Sequence, residues 1–255
     1  MLLLFARGLG QYRGMVARKT KPKQKAKRER RFTPLQWLKR WMFRLCLLAI
    51  VLPACVIAAH SYFNPPQGIY MRQEAQRLGE VKRIWTPASD IAPVMLRSVV
   101  AAEDASFCQH WGFDMRAIRA ALADGTGRGA STLTQQVVKN TYLWHGRDWS
   151  RKALEALLTP LVELFWSKRR VLEVYLNVAE FDEGIFGVTA AAQHYFGVTP
   201  AKLSALQAAR LAAILPAPKS RSASRPSNYV RKRTRQIMDG AETIRRDGRA
   251  DCFSS

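Results

Sequence analysis

Nineteen consecutive residues, Leu45 to Phe63, contain no Asp, Glu, Lys or Arg, and this run constrains the chain more than any other feature. At about 1.5 Å of helical rise per residue it spans roughly 28 Å, close to a hydrocarbon core. Trp37 and Trp41 stand before it and Tyr62 near its end, where interfacial aromatics sit. Pro53 is tolerable in a spanning helix. The basic region ahead is too long for a cleaved signal peptide, and His60-Ser61-Tyr62 is a poor small-residue cleavage site. The run is therefore read as a transmembrane helix, 42–63, behind a basic tail, 1–41. Met15 is an alternative start.

The net charge of +22 is unevenly placed. Residues up to Arg44 hold fourteen Lys and Arg against one acid, Glu29, and the rest of the chain is only modestly basic. The stretch RKTKPKQKAKRERR (18–31) lacks apolar periodicity and reads as a disordered, solvated flank with some attraction to anionic membrane lipid. The positive-inside rule puts this flank in the cytoplasm and everything after about Asn64 across the membrane. A nucleic-acid-binding protein or non-catalytic tethered scaffold, argued from the tail, would have its basic residues on the wrong side from the folded domain. No nucleic-acid partner is expected. Cys46 and Cys55 lie in the span, Cys108 and Cys252 stand alone beyond it, and no CxxC occurs. The spacing thus indicates neither a structural disulfide nor a metal site.

Beyond the span, 64–89 reads as a polar connector containing Pro65-Pro66-Gln67-Gly68. Helical signals then dominate. Asp90 is placed to cap a helix with Pro93 in its first turn, and Ser131 to cap another behind a loop made flexible by Gly125, Gly127 and Gly129. Further helical stretches run over 149–166, 169–178 and 203–215, the last closed by Pro216 and Pro218. Few runs alternate with period two. The expectation is a mostly α domain over 90–240, without internal repeats, and a C-terminal tail over 241–255.

Three segments could carry chemistry. Leu96, Val99 and Val100 precede Glu103 by seven, four and three residues, which sets this carboxylate on the apolar side of its helix. Partial desolvation there raises its pKa toward the range of a general base, while Asp104 points elsewhere. Thr132, Gln136 and Lys139 fall at i, i+4 and i+7 on one helical face. That polar stripe and a helix N-terminus behind a Gly-rich loop suit an anionic, oxygen-rich ligand such as a sugar pyrophosphate. The GxxxxGK[ST] pattern of a P-loop is absent. Glu155 follows Arg151 by four residues and Lys152 by three, and Arg147 lies just upstream. Paired carboxylates are the usual means of glycosyl chemistry. Each segment alone also admits a plain reading: a helix-end carboxylate, a solvated face, an intrahelical ion pair.

Together the segments resemble one family closely. AAEDASFCQHWGFD (101–114), RGASTLTQQVVKN (128–140), RKALE (151–155), VLEVYLNVAEF (171–181) with GVTAAAQHYF (187–196), and LSALQAARLAAILPAP (203–218) follow the order of the family 51 peptidoglycan glycosyltransferases, most like the monofunctional biosynthetic type. The resemblance implies a lysozyme-like, two-lobed helical domain behind one N-terminal transmembrane helix, with a mobile region between the first two motifs. It implies lipid II and a growing glycan strand as partners, with other cell-wall synthesis proteins alongside, at the bacterial inner membrane with the catalytic domain periplasmic. Glu103 matches the catalytic base and Glu155 the second essential carboxylate. Lys139 and Arg147 match cations near the phosphates, and Ser131, Thr132 and Gln136 match groups lining the donor cleft. Arg151, Lys152 and Asn177 match supporting positions. Some relatives use a divalent cation, Mg or Mn, at the pyrophosphate, although no metal-ligand cluster is visible in this sequence. The segment KSRSASRPSNY (219–229) is more basic than the last motif leads one to expect. A lysozyme-like enzyme cleaving peptidoglycan is the nearest rival, but its sugar leaving group would not need Gln136, Lys139 and Arg147.

Overall fold

A computed structural model describes residues 34–125, 129–146 and 148–254. The readings made for the basic tail before Pro34 and for Arg147 lie outside these residues. The chain divides at Leu45/Cys46 into two compact units, and the described part of the first is the opening of the first helix.

That helix, α1 (Pro34–Ala59), contains Pro53 and is 26 residues long. Among the described residues it is the one helix long and apolar enough to cross a membrane. The helix begins before residue 42, the expected start of the span, and gives way to turns at His60. Leu45, Leu47, Leu48, Ile50 and Leu52 are all at least half exposed, as lipid-facing side chains are. The C-terminal end of α1 is tied down. Trp166 donates from Nε1 to the Ile57 carbonyl at 2.7 Å, His60 Nδ1 and the Tyr142 hydroxyl lie 2.9 Å apart, and Arg170 donates to the His60 and Phe63 carbonyls.

There follow α2 (Ile69–Leu78), β1 (Lys82–Arg83), α3 (Pro93–Glu103), α4 (Met115–Ala123), α5 (Leu133–Tyr142), α6 (Trp149–Phe165), α7 (Lys168–Val178), β2 (Glu180–Asp182), β3 (Ile185–Phe186), α8 (Val188–Phe196), α9 (Ala205–Ile214), α10 (Asn228–Arg246) and α11 (Asp251–Ser254). The fold is mostly helical, as expected. The connector contains α2, which buries Met71. The three short strands form one sheet in the order β1-β3-β2, with β1 parallel and β2 antiparallel to β3. Strands of two or three residues are too short for alternation to show.

Two cap readings move by a residue or two. Asp90 closes a 3₁₀ turn and Ala92 precedes α3, whose Pro93 fits the first helical position because that N–H has no partner anyway. Thr132 rather than Ser131 caps α5. Its side chain accepts from Gln135 N and the Gln135 side chain accepts from Thr132 N, a reciprocal box worth about 1 kcal/mol. Ser204 and Gln207 repeat the arrangement at α9.

α3, α9 and α10 pack on one another, and α5 packs on α6 and α7. Val99, Leu211, Ile214 and Ile237 are buried between the first three, each contributing about 1.5–3 kcal/mol. The run Ala208, Ala209, Ala212 and Ala213 is likewise buried and keeps that face of α9 free of bulk.

The C-terminal end departs from both expectations made for it. Residues 241–255 do not behave as a tail: α10 continues to Arg246, and Ala241, Ile244 and Phe253 are buried. Cys108 and Cys252, read as unpaired, form a disulfide with their Cα atoms 5.8 Å apart. Spacing could not reveal it, because 144 residues separate the two and only the return of α10 and α11 across the domain brings them together. Arg249 Nη1 donating to the Ala105 carbonyl and Arg169 Nη1 donating to the Phe253 carbonyl fix the same join.

Candidate active site

Glu103 is the last residue of α3 and Gln136 lies in the second turn of α5. Asp104 joins the two helices. One carboxylate oxygen lies 2.8 Å from His110 Nε2, and the other accepts from Leu133 N at 3.0 Å, capping an orphan amide at the start of α5. Asp104 is buried, with both oxygens engaged by these partners, and it shares the lining of one hollow with Glu103. With the helices joined, Gln136 Nε2 donates to Glu103 Oε2 at 2.9 Å and Gln136 Oε1 accepts from the Tyr175 hydroxyl at 3.3 Å.

Burial pushes the Glu103 carboxyl above the usual carboxylate range, against the opposing pull of the Gln136 amide, Arg233 and Lys139. Two hollows flank this region. One, about 430 Å³, is lined by Gln136, Lys139, Asn140 and Tyr175, and beyond them by Tyr70, His145 and the segment Leu215–Ser220. The other, about 250 Å³, holds Glu103 itself with Asp114 and the segment Gly129–Thr132. Burial pushes the Lys139 ammonium below the ordinary lysine range, opposed by the fields of both Glu155 and Glu103. At the far end of the larger hollow the rings of Tyr70 and His145 stack at 3.6 Å. Burial and the nearby Lys139 and Arg151 push His145 down to about 4, which favours the neutral ring near pH 7.

Glu155 is only 2% exposed, and both of its oxygens are held. Arg151 Nη1 donates to Oε2 at 2.8 Å and Lys152 Nζ donates to Oε1, the i,i+4 and i,i+3 pairs that the spacing allowed. Lys152 also reaches Ser131 Oγ at 3.4 Å, which links this pair to the lip of the smaller hollow. Thr159 Oγ1 donates to the Glu155 carbonyl at 2.6 Å and steadies the backbone beneath.

The structure thus gathers Glu103, Ser131, Gln136 and Lys139 at the hollows, with Arg151, Lys152 and Glu155 linked to them through Ser131. Two other positions differ. Thr132 borders the smaller hollow, but its hydroxyl is engaged in capping α5 and in donating to the Gly112 carbonyl at 2.6 Å. Asn177 is fully buried and lines neither of these two hollows. Its amide accepts from Thr86 N and donates to the Thr86 and Glu173 carbonyls, so it ties the chain around Thr86 to α7.

Sequence reasoning missed three neighbours. Arg233 donates from Nη2 to the Ala102 carbonyl at 2.9 Å, one residue from Glu103. Tyr175 lay within a quoted motif, but its link to Gln136 depends on how α5 and α7 pack. Lys219, in the segment already noted as unusually basic, pairs with Glu74 at 2.9 Å beside the Tyr70 ring.

Two carboxylates and a set of cations gathered at and beside two hollows define a class of protein equipped for glycosyl chemistry. The family described as Transglycosylase matches residues 71–242. Among curated relatives, a biosynthetic peptidoglycan transglycosylase of Jannaschia sp. (strain CCS1) is 56% identical over 94% of this chain and 100% of its own length. Another, from Caulobacter vibrioides, is 42% identical over 85% of this chain and 96% of its own. A third, from Pseudomonas entomophila, is 58% identical over 60% of this chain and 67% of its own. The chain belongs to the transglycosylase family, that of the biosynthetic peptidoglycan transglycosylases, and is an enzyme of glycosyl transfer.

Proposed function

We propose that the chain polymerises lipid II into β-1,4-linked peptidoglycan strands. Glu103 removes the proton from the acceptor sugar's 4-hydroxyl, and that oxygen attacks the anomeric carbon of the donor. The bond from that carbon to the pyrophosphate oxygen breaks, undecaprenyl pyrophosphate leaves with the electron pair, and the configuration inverts. The observation that carries this reading is the Glu103 carboxylate, half-buried beside two hollows and raised toward the pKa of an effective base.

Lys139, Arg147, Arg151 and Lys152 supply positive charge where the pyrophosphate gathers negative charge, a term that is typically a large share of catalysis. Glu155, clamped by Arg151 and Lys152, keeps those two cations in place. Gln136 and Ser131 contact the donor. Among the described residues no three His, Cys, Asp or Glu side chains come together, and both Glu155 oxygens are already held by cations. That donor set does not fit a Mg or Mn ion held by protein side chains alone.

The anchor suits a lipid-carried substrate, since enzyme and substrate share one membrane surface. The positive-inside bias supports a cytoplasmic tail and a periplasmic domain, and the Cys108–Cys252 disulfide supports the same oxidising side.

The test is to incubate detergent-solubilised protein with labelled lipid II, with and without Mg or Mn, beside Glu103→Gln. Long muramidase-sensitive polymer from the wild type alone supports both reaction and base. If the wild type makes no polymer but cleaves preformed peptidoglycan, the lysozyme-like reading replaces this one.

A further inference from the structure

From Gly184 to Met238 the sequence contains no Asp or Glu against nine Lys and Arg. Three of those cations are engaged within the fold. Lys219 pairs with Glu74, Arg221 donates to the Ala213 carbonyl while lying over the Tyr229 ring, and Arg233 turns inward to Ala102. Arg225 and, on α10, Arg231, Lys232 and Arg235 are exposed, and none forms an ion pair among the described residues. Arg231 reaches only Asn228 Oδ1, at 2.9 Å.

Like charges at i and i+4, such as Arg231 and Arg235, repel one another on a helix surface, and an anionic ligand would relieve that repulsion. α10 connects the patch to the catalytic region through its inward side, where Arg233, between Lys232 and Arg235 in sequence, sets its guanidinium at the carbonyl next to Glu103.

Two observations separate this face from a lipid-binding one. A helix that lies in a bilayer surface needs a free apolar face, but that of α10 (Val230, Ile237, Ala241, Ile244) is buried in the domain. The side chains that hold the end of α1, namely Tyr142, Trp166 and Arg170, lie on or beside α5, α6 and α7, whereas α10 packs on α3 and α9.

Resting on the reading of the enzyme as a polymerase of peptidoglycan, we propose that Arg225, Arg231, Lys232 and Arg235 form a track for the finished strand. The partner is an anionic glycan whose peptide branches carry carboxylates. Guanidinium groups pair with carboxylates through two parallel hydrogen bonds, and exposed pairs of this kind hold a polymer loosely enough for it to slide.

The test measures binding without turnover. Labelled, uncrosslinked peptidoglycan strands are titrated against the detergent-solubilised full chain by fluorescence anisotropy, alongside the same strands stripped of peptides by an amidase. The wild type is expected to bind intact strands in a salt-sensitive manner, with binding about tenfold weaker for stripped strands and for the triple variant R231Q/K232Q/R235Q. The variant should keep the wild-type melting temperature and initial rate on lipid II while making shorter polymer. Equal binding by variant and wild type, equal binding of intact and stripped strands, or no binding at all overturns the proposal. So does a variant that loses affinity only for vesicles containing anionic lipid, which would make the face a membrane surface. Since no turnover is required, a failure of the lipid II reading appears separately, as strand binding without polymerisation.

Discussion

Gln136 Nε2 donates to Glu103 Oε2 at 2.9 Å while Gln136 Oε1 accepts from the buried Tyr175 hydroxyl at 3.3 Å. The amide is therefore held from both ends, and the carboxylate meets a fixed donor on one oxygen. α3, α5 and α7 each contribute one member of this chain of hydrogen bonds, so the orientation of Glu103 is a property of how three helices pack.

Glu103→Gln should lower kcat about 10²- to 10⁴-fold, the usual worth of a positioned general base. In the wild type the base must be ionised, so activity should fall as the pH drops through its raised pKa. The acid limb of the pH–rate profile is expected above the ordinary glutamate value of 4.5. A limb at or below that value would exclude Glu103 as the desolvated base.

The same substitution should stabilise the fold at neutral pH. A carboxyl whose pKa is raised on folding is penalised once ionised, so the penalty is absent below the unfolded pKa and grows as pH rises through the folded one. The melting temperature of Glu103→Gln should exceed that of the wild type at pH 7, and the two should converge near pH 4. Thermal unfolding across that range checks it.

Arg233→Gln should move the acid limb of kcat/KM to higher pH, because Arg233 opposes the upward push of burial on Glu103. Gln136→Leu should move it the same way through loss of the hydrogen bond. Arg233→Lys should restore most of the Arg233 effect. A purely structural role would lower the rate at every pH and leave the limb in place.

Asn177→Ala separates support from substrate contact. It would leave the buried Thr86 N–H and carbonyl without their partner, at about 1–3 kcal/mol of stability. The activity per folded molecule should stay near that of the wild type at low temperature. A large rise in KM with unchanged stability would return Asn177 to the cleft.

Cys252→Ser should cost about 2–5 kcal/mol, as expected for a bridge closing a long loop. Protein kept under strong reductant should melt at the same lowered temperature. Because the bridge joins the segment after Glu103 to α11, loss of activity should accompany loss of stability.

The division between sequence and tertiary structure runs along the range of the forces involved. Local interactions were legible in the chain: the apolar run, the bounds of α6 and α7 within a residue, the apolar flank of Glu103, and the Arg151–Glu155 and Lys152–Glu155 pairs, all set within a few turns of backbone. Their motif order pointed to the family as well. What no spacing could show were contacts closed only by packing: Gln136 on Glu103 across 33 residues, Asn177 on Thr86 across 91, Arg233 on Ala102 across 131, and Cys108 on Cys252 across 144. Thr132 and Asn177 illustrate the difference. Both are polar residues in site motifs, but burial left each of them only backbone to bond, and an unbonded polar group in a core is too costly to keep. The chain alone determined which residues could do the chemistry, and the fold decided which of them face the cleft.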